Sequence, residues 1–360
     1  MARWVADRSA LNDTLAQLRE LPRLALDTEF ERIRTYWPKL ALVQAMLAGE
    51  AALIDPLAFD DLRELGAAIA GPAQTWLMHS PSEDLIALGP LLPQAPAALI
   101  DTQVAAALAG LGSGLGYQKL VALVLGVDLA KTETRSDWMR RPLSEQQLAY
   151  AADDVVHLDA LGDALLDRLE ALGRRDWILQ EGRRTLQMAF TPSAPGNQHH
   201  EYRSACKLDL DAQRRLDAIL RWREQVARAT DRPKPWVIDN QVAHDLAARP
   251  PQQASELQRM LQAQRAFPRA KAGELLELLS EPPLHADFTP APKPFSRDEE
   301  AQLDRLKAGI ETHAAELGLE PALLAPRKAQ EARLRNGRWP QDLPAWRRER
   351  LEAIASTALG

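Results

Sequence analysis

Apolar positions change their rhythm along the chain. Arg23–Phe30 (RLALDTEF), Leu40–Leu47 (LALVQAML) and Ala51–Asp55 (AALID) are short apolar runs closed by turn or polar residues, which predicts strands. A helix is expected over Phe59–Ala70, then a fourth strand at Thr75–His79. Beyond it the period becomes helical, with helices at Glu83–Leu88, Thr102–Ala109 and Tyr117–Leu125 and one long helix from Ser144 to Leu172. Ser144 before EQQ reads as its N-cap, because a hydroxyl can take an otherwise unpaired amide. Strands followed mostly by helices predict an α/β domain with a mixed sheet rather than a regular βαβ repeat.

The texture breaks at TPSAPGNQHH, where proline, glycine and polar residues replace the periodic pattern, and again at EPPLHADFTPAPKPF. Between and after these breaks strand patterns nearly vanish. Three domains are expected: residues 1–195 mixed α/β, 205–285 all-α, and 293–360 all-α.

The apolar share of 46% and charged share of 26% are those of a packed globular protein. Cys206 is the sole cysteine, which excludes an intrachain disulfide and a cysteine-cluster metal site. The N-terminal stretch lacks a signal peptide's apolar core, and no run is long enough to span a bilayer, so a cytoplasmic protein without membrane attachment is expected. The net charge of −6 is uneven: residues 1–190 hold 18 Lys+Arg against 26 Asp+Glu, and residues 191–360 hold 26 against 24. An acidic half suits a site built of carboxylates, and a less acidic one suits contact with phosphates, although ordinary surface variation gives the same asymmetry.

In LALDTEF, Asp27 and Glu29 are two apart and leave one face of a strand. Two acids there repel unless a cation lies between them, and hard oxygen donors suit Mg²⁺ or Mn²⁺. The alternative is a strand that ends at Asp27 with both acids in solvent. Asp84, in WLMHSPSEDL, falls where a strand gives way to a helix; Tyr150 and Asp154 are four apart on a helix and share a face.

In this order the acids match the DEDD exonuclease pattern in its tyrosine-bearing form. The flanking words LALDTEFERIRTYWPKLALVQ, MHSPSEDL, LIDTQ and SDWMRRPLSEQQLAYAADDV resemble the ribonuclease D family over residues 20–172. Residues 208–279 are similar to the HRDC domain, and the tail ELGLEPALLAPRKAQEARLRNGRWPQDLPAWRRERL resembles a second HRDC-like module more loosely. The resemblance implies an RNase H-like exonuclease fold followed by HRDC-type bundles, and a 3′→5′ exoribonuclease that trims structured RNA such as tRNA precursors to nucleoside 5′-monophosphates. It implies two divalent cations (Mg²⁺ or Mn²⁺) on Asp27, Glu29, Asp84 and Asp154, with Tyr150 beside the attacking water. No organic cofactor is expected, and monomer is the default. A single-stranded DNA exonuclease and a catalytically silent nucleic-acid adaptor are the alternative readings.

His79 lies five residues before Asp84, the spacing of the histidine-bearing branch; because later motifs follow it, it reads as a supporting or end-of-strand residue. Asp153, one helical step from Asp154, cannot face the same ion equally, and reads as a solvated acid or one at the edge of the site. For gripping RNA the candidates are Phe30, Tyr36 and Trp37, with cations interleaved, and Arg141 before the last motif. Trp138 reads as a fold anchor. For Arg228, Arg232 and Lys234, and for Arg327, Lys328 and the run 347–350, phosphate binding and plain solvent exposure both stay open.

Overall fold

The computed structural model describes residues 2–129, 136–191 and 196–359. Its strands are β1 (Ala2–Val5), β2 (Arg23–Glu31), β3 (Lys39–Leu47), β4 (Glu50–Ile54), β5 (Thr75–Met78) and β6 (Ala98–Asp101), in one sheet of order β1-β4-β3-β2-β5-β6. β2, β3 and β4 form an antiparallel meander, while β1 joins β4, β5 joins β2 and β6 joins β5 in parallel. The tight turn from β3 to β4 places Ala48 at φ 48° and Gly49 at φ 88°. Two positive φ values match the twist of a two-residue hairpin, and glycine takes the second at no steric cost.

Eight helices follow or flank these strands: α1 (Arg8–Glu20), α2 (Arg63–Ile69), α3 (Ser82–Leu88), α4 (Thr102–Leu108), α5 (Tyr117–Leu125), α6 (Glu145–Val156), α7 (Leu158–Ala171) and α8 (Arg175–Phe190). The expected long helix from Ser144 is two helices, divided at His157, whose N–H turns to the Val155 carbonyl and not to the next helical acceptor. Ser144 caps as expected: it accepts from the Gln147 N–H at 3.1 Å, and the Gln147 side chain accepts from the Ser144 N–H at 2.9 Å.

The sheet separates two apolar layers. Leu24, Leu26, Val43, Ala45 and Ile54 pack with α1 and α2 residues such as Leu11, Leu15 and Leu65. Ala25, Leu77 and Ile100 pack on the opposite side with Leu158, Leu161 and Leu165 of α7 and Ile178 of α8. α8 crosses β6 so closely that a Cβ at Gly182 would lie 1.9 Å from the Leu99 carbonyl oxygen, so only glycine fits there.

Of the remaining helices, α9 (Leu210–Ala229), α10 (Lys234–Val237), α11 (Asn240–Ala248), α12 (Ala254–Met260) and α13 (Ala272–Ser280) build a separate all-α unit. Its core is formed by Leu216, Leu220, Trp222, Leu246, Leu257, Phe267 and Leu275. Residues 32–38, between β2 and β3, belong to this unit, with Tyr36 packed on its core. Inside it, His199 and Arg221 both bond the buried Asp217.

The tail, α14 (Arg297–Leu317), α15 (Pro321–Leu324), α16 (Arg327–Asn336) and α17 (Ala345–Leu359), corrects the expected three-way division. Residues 296–360 form no third unit; they fall in the same compact unit as the sheet. Leu306, Ile310, Trp346 and Leu351 share an apolar cluster with Leu165, Trp177 and Ile178. Trp346 stacks on Trp177 at 4.4 Å, and the buried Glu181 accepts from Trp346 Nε1 and Arg347 Nε, both at 2.8 Å. The expected boundary near 195 lies outside the described residues, and the later one falls at Phe295/Ser296. Among the described residues, no helix is long and apolar enough to cross a membrane.

Candidate active site

On β2, Leu24 and Leu26 face one apolar layer, and Ala25, Asp27 and Glu29 face the other. Asp27, Glu29, Tyr150 and Asp154 then line one cavity of about 160 Å³, closed by His79, Tyr117 and Leu158. The two acids come from the strand, and Tyr150 and Asp154 come from successive turns of α6, one helical repeat apart.

Asp84 reaches the group differently. It stands in the first turn of α3, nearly buried, and its Oδ1 accepts the Thr28 hydroxyl at 2.5 Å. It is not among the residues lining the cavity, yet its charge acts on both Asp27 and Glu29. Asp153 stays outside the cavity lining, its carbonyl accepting from the Tyr117 hydroxyl at 3.3 Å.

The electrostatics are those of crowded like charges. Burial, and then the fields of Asp84, Asp154 and Glu29, hold the Asp27 carboxyl well above its ordinary range. Burial followed by Asp154 and Asp84 pushes Glu29 up to about 8. Burial raises Asp154 to about 7 against the opposing hydrogen bond from Tyr150, and raises Asp84 to about 6 against that from Thr28. The Tyr150 hydroxyl is itself pushed up by burial and by Asp154, so it stays a neutral phenol. His79 is lowered to about 4 by burial, partly offset by the Leu115 carbonyl, and is a neutral imidazole near neutral pH.

No Lys or Arg is among the described residues lining the cavity. Carboxylates there can ionise together only if positive charge is brought in, and an all-oxygen donor set selects a hard divalent cation. Among the described residues no three His, Cys, Asp or Glu side chains form a ready-made metal cage. The donor chemistry therefore fits divalent ions.

Two cavity residues carried a weaker signal in the sequence. Tyr117, at the start of α5, was legible only as part of an amphipathic helix; its ring meets that of His79 edge-on at 5.6 Å. His79, just past β5, bonds Thr102 Oγ1 through Nδ1 at 2.9 Å and turns its body into the cavity.

The expected RNA contacts divide. The Arg141 expectation is corrected: its guanidinium is bidentate to Asp55 at 2.5 and 2.8 Å and also donates to the carbonyls of Ala41, Trp138 and Arg140, so it locks the fold. Tyr36 is likewise committed, its hydroxyl donating to Glu224 and accepting from Arg228 at 3.0 Å. Trp37 beside it is 42% exposed. Phe30 is half-buried, directly after a bulge in the β2–β3 pairing. Trp138 is buried 6.0 Å from the Tyr150 ring and anchors that corner. In the tail, Arg347 is held by Glu181 and Arg350 lies over Trp177 at 4.4 Å, which removes both from the phosphate candidates.

The sheet with its carboxylates opposite a tyrosine-bearing helix lies within the stretch that matches known 3′-5′ exonucleases. Residues 2–170 match the family described as 3′-5′ exonuclease, and residues 212–279 match the HRDC domain. Ribonuclease D of Xanthomonas oryzae pv. oryzae is 42% identical over 98% of this chain and 97% of its own, and that of Pseudomonas paraeruginosa is 34% identical over 99% and 97%. The crystal structure of Escherichia coli RNase D, described as an exoribonuclease involved in structured RNA processing, superposes with a TM-score of 0.87 at 29% identity, covering 100% of this chain and 98% of that one. The chain belongs to the ribonuclease D family, and its activity is that of a 3′→5′ exoribonuclease.

Proposed function

We propose that Asp27, Glu29, Asp84 and Asp154 would hold a pair of divalent cations, Mg²⁺ or Mn²⁺, and that the protein trims 3′ extensions of structured RNA, tRNA precursors among them. The observation that carries this reading is the cation-free lining of a cavity into which Asp27, Glu29 and Asp154 all project. Bound there, two such ions would activate a water and stabilise negative charge on phosphorus and on the departing oxygen.

The chain's own groups supply the rest. Tyr150, bonded to Asp154 and still protonated near neutral pH, orients water through its hydroxyl and has no free phenolate to take the water's proton. His79, neutral at working pH, offers hydrogen bonds without adding charge. Phe30 and the exposed Trp37 stay as proposed stacking surfaces for unpaired bases. Attack at the terminal phosphodiester releases nucleoside 5′-monophosphates. The structured-RNA processing described for the Escherichia coli protein supports the substrate class.

The test is hydrolysis of a tRNA precursor with a 3′ extension, with a matched DNA oligomer as control. Asp27→Asn should lose turnover by several orders of magnitude while still binding RNA. An unchanged rate in that variant, or equal cleavage of RNA and DNA, would remove the site or the substrate assignment respectively.

A further inference from the structure

Gln44 occupies the middle of β3, paired with Asp27 of β2 on one side and with Leu53 of β4 on the other. Residues directly opposite in an antiparallel pair send their side chains to the same face, with Cβ atoms roughly 5 Å apart. The Gln44 amide therefore lies on the sheet face that carries Asp27, where α6 packs over β3 and β4. It is 0% exposed, and neither its Oε1 nor its Nε2 has a hydrogen-bond partner among the described residues.

An interior amide with both groups unmet sacrifices a sizeable part of a domain's small net stability. Packing does not require it: Leu53 opposite Gln44 belongs to an apolar cluster with Leu42 of the same strand and Ala151 of α6, and a Leu or Met of similar volume would cost little at this position. Across the sheet, Leu53 offers Gln44 nothing polar, whereas Asp27 offers a carboxylate. A carboxylate that would ligate a cation keeps lone pairs that a donor can direct, and such supporting donors hold ligands in place.

We propose that Gln44 is a positioning residue for Asp27, its amide NH₂ donating to the Asp27 carboxylate when the acidic centre is filled with divalent cations. The amide is thus a donor held in reserve for that carboxylate. This inference rests on the reading of Asp27 as a cation ligand.

Gln44→Met keeps the side chain's length and removes both polar groups, and Gln44→Leu does the same with a shorter chain. Each variant is unfolded with denaturant in chelator, then titrated with Mn²⁺ while thermal stability is followed, and finally assayed on an RNA oligomer. In chelator at least one variant should be as stable as the native protein or more so. The Mn²⁺ concentration for half-maximal stabilisation should rise 10-fold or more, and kcat should fall at ordinary Mn²⁺ and recover when the ion is raised.

A Mn²⁺ midpoint within twofold of native would overturn the proposal. So would loss of stability in chelator by both variants, which would mean that the amide already serves the fold. Asp27→Asn, titrated in parallel, separates the two levels: if it too leaves the Mn²⁺ response intact, the metal-site reading has failed and not merely the role of Gln44.

Discussion

Acids crowded without a positive neighbour should govern how stability depends on pH when divalent cations are chelated. Glu29 rises from 4.5 to about 8, Asp154 from 3.8 to about 7 and Asp84 from 3.8 to about 6. A carboxyl that titrates higher in the folded chain than in the unfolded one binds its proton more tightly in the native state. Its contribution is therefore complete below the unfolded value near 4, and it is lost as pH climbs through the folded value. At about 1.36 kcal/mol per unit, the change at Glu29 alone sets a scale of about 5 kcal/mol between pH 4 and 9. Because the acids share one repulsive field, that figure describes the cluster and is not to be summed over its members. The assay is guanidinium unfolding in EDTA at pH 5, 7 and 9, repeated with Mn²⁺. The native protein should lose stability toward pH 9, Mn²⁺ should restore it, and a variant combining Asp27→Asn with Glu29→Gln should show a much flatter profile. An equally steep profile in that variant would refute the reasoning, since the slope would then come from elsewhere.

Tyr150→Phe should lower kcat by about 10- to 100-fold at saturating Mn²⁺, because the lost hydroxyl orients water; steady-state kinetics over a metal series tests this. Arg141→Ala leaves the buried Asp55 without its partner and should cost about 3 kcal/mol by denaturant unfolding, with RNA binding unaltered in the folded fraction. Gly182→Ala drives a methyl into the Leu99 carbonyl and should lower the melting temperature by several degrees or prevent folding, as calorimetry would show. Deleting residues 296–360 should yield an unstable nuclease half, because Trp177 and Glu181 lose Trp346 and Arg347; a truncated chain as stable as the intact one would contradict the shared core.

The parts of the site set by short-range periodicity could be read directly. A strand's alternation fixes Asp27 and Glu29 on one face, and a helix turn fixes Tyr150 over Asp154. What depends on docking could not. Tyr117 enters the cavity because α5 packs on α7, and the orientation of Asp84 depends on Thr28, which faces away from Asp27 on the same strand. Cations interleaved with Tyr36 and Trp37 have the composition of a nucleic-acid grip, yet Tyr36 is used inside the helical unit. The tail shows the same limit: α14 is amphipathic by periodicity, α17 has almost no apolar stripe at the helical period, and neither pattern says whose core Leu306 and Trp346 complete. Neither β1 nor β6 exceeds four residues, and each depends on a parallel partner distant in sequence or across a connection, which no local pattern encodes.

The return of α14–α17 to the sheet-bearing unit has a consequence for how the protein is made. Residues 296–360 leave the ribosome well after residue 191, with residues 192–295 of the helical unit emerging in between. At 5–20 residues per second the 155 residues from 191 to Trp346 take roughly 8 to 31 s. Throughout it Trp177 and its neighbours on α8 lack their cover, so the nascent nuclease passes through a stage with an apolar face open to chaperones, to proteases and to other unfinished chains.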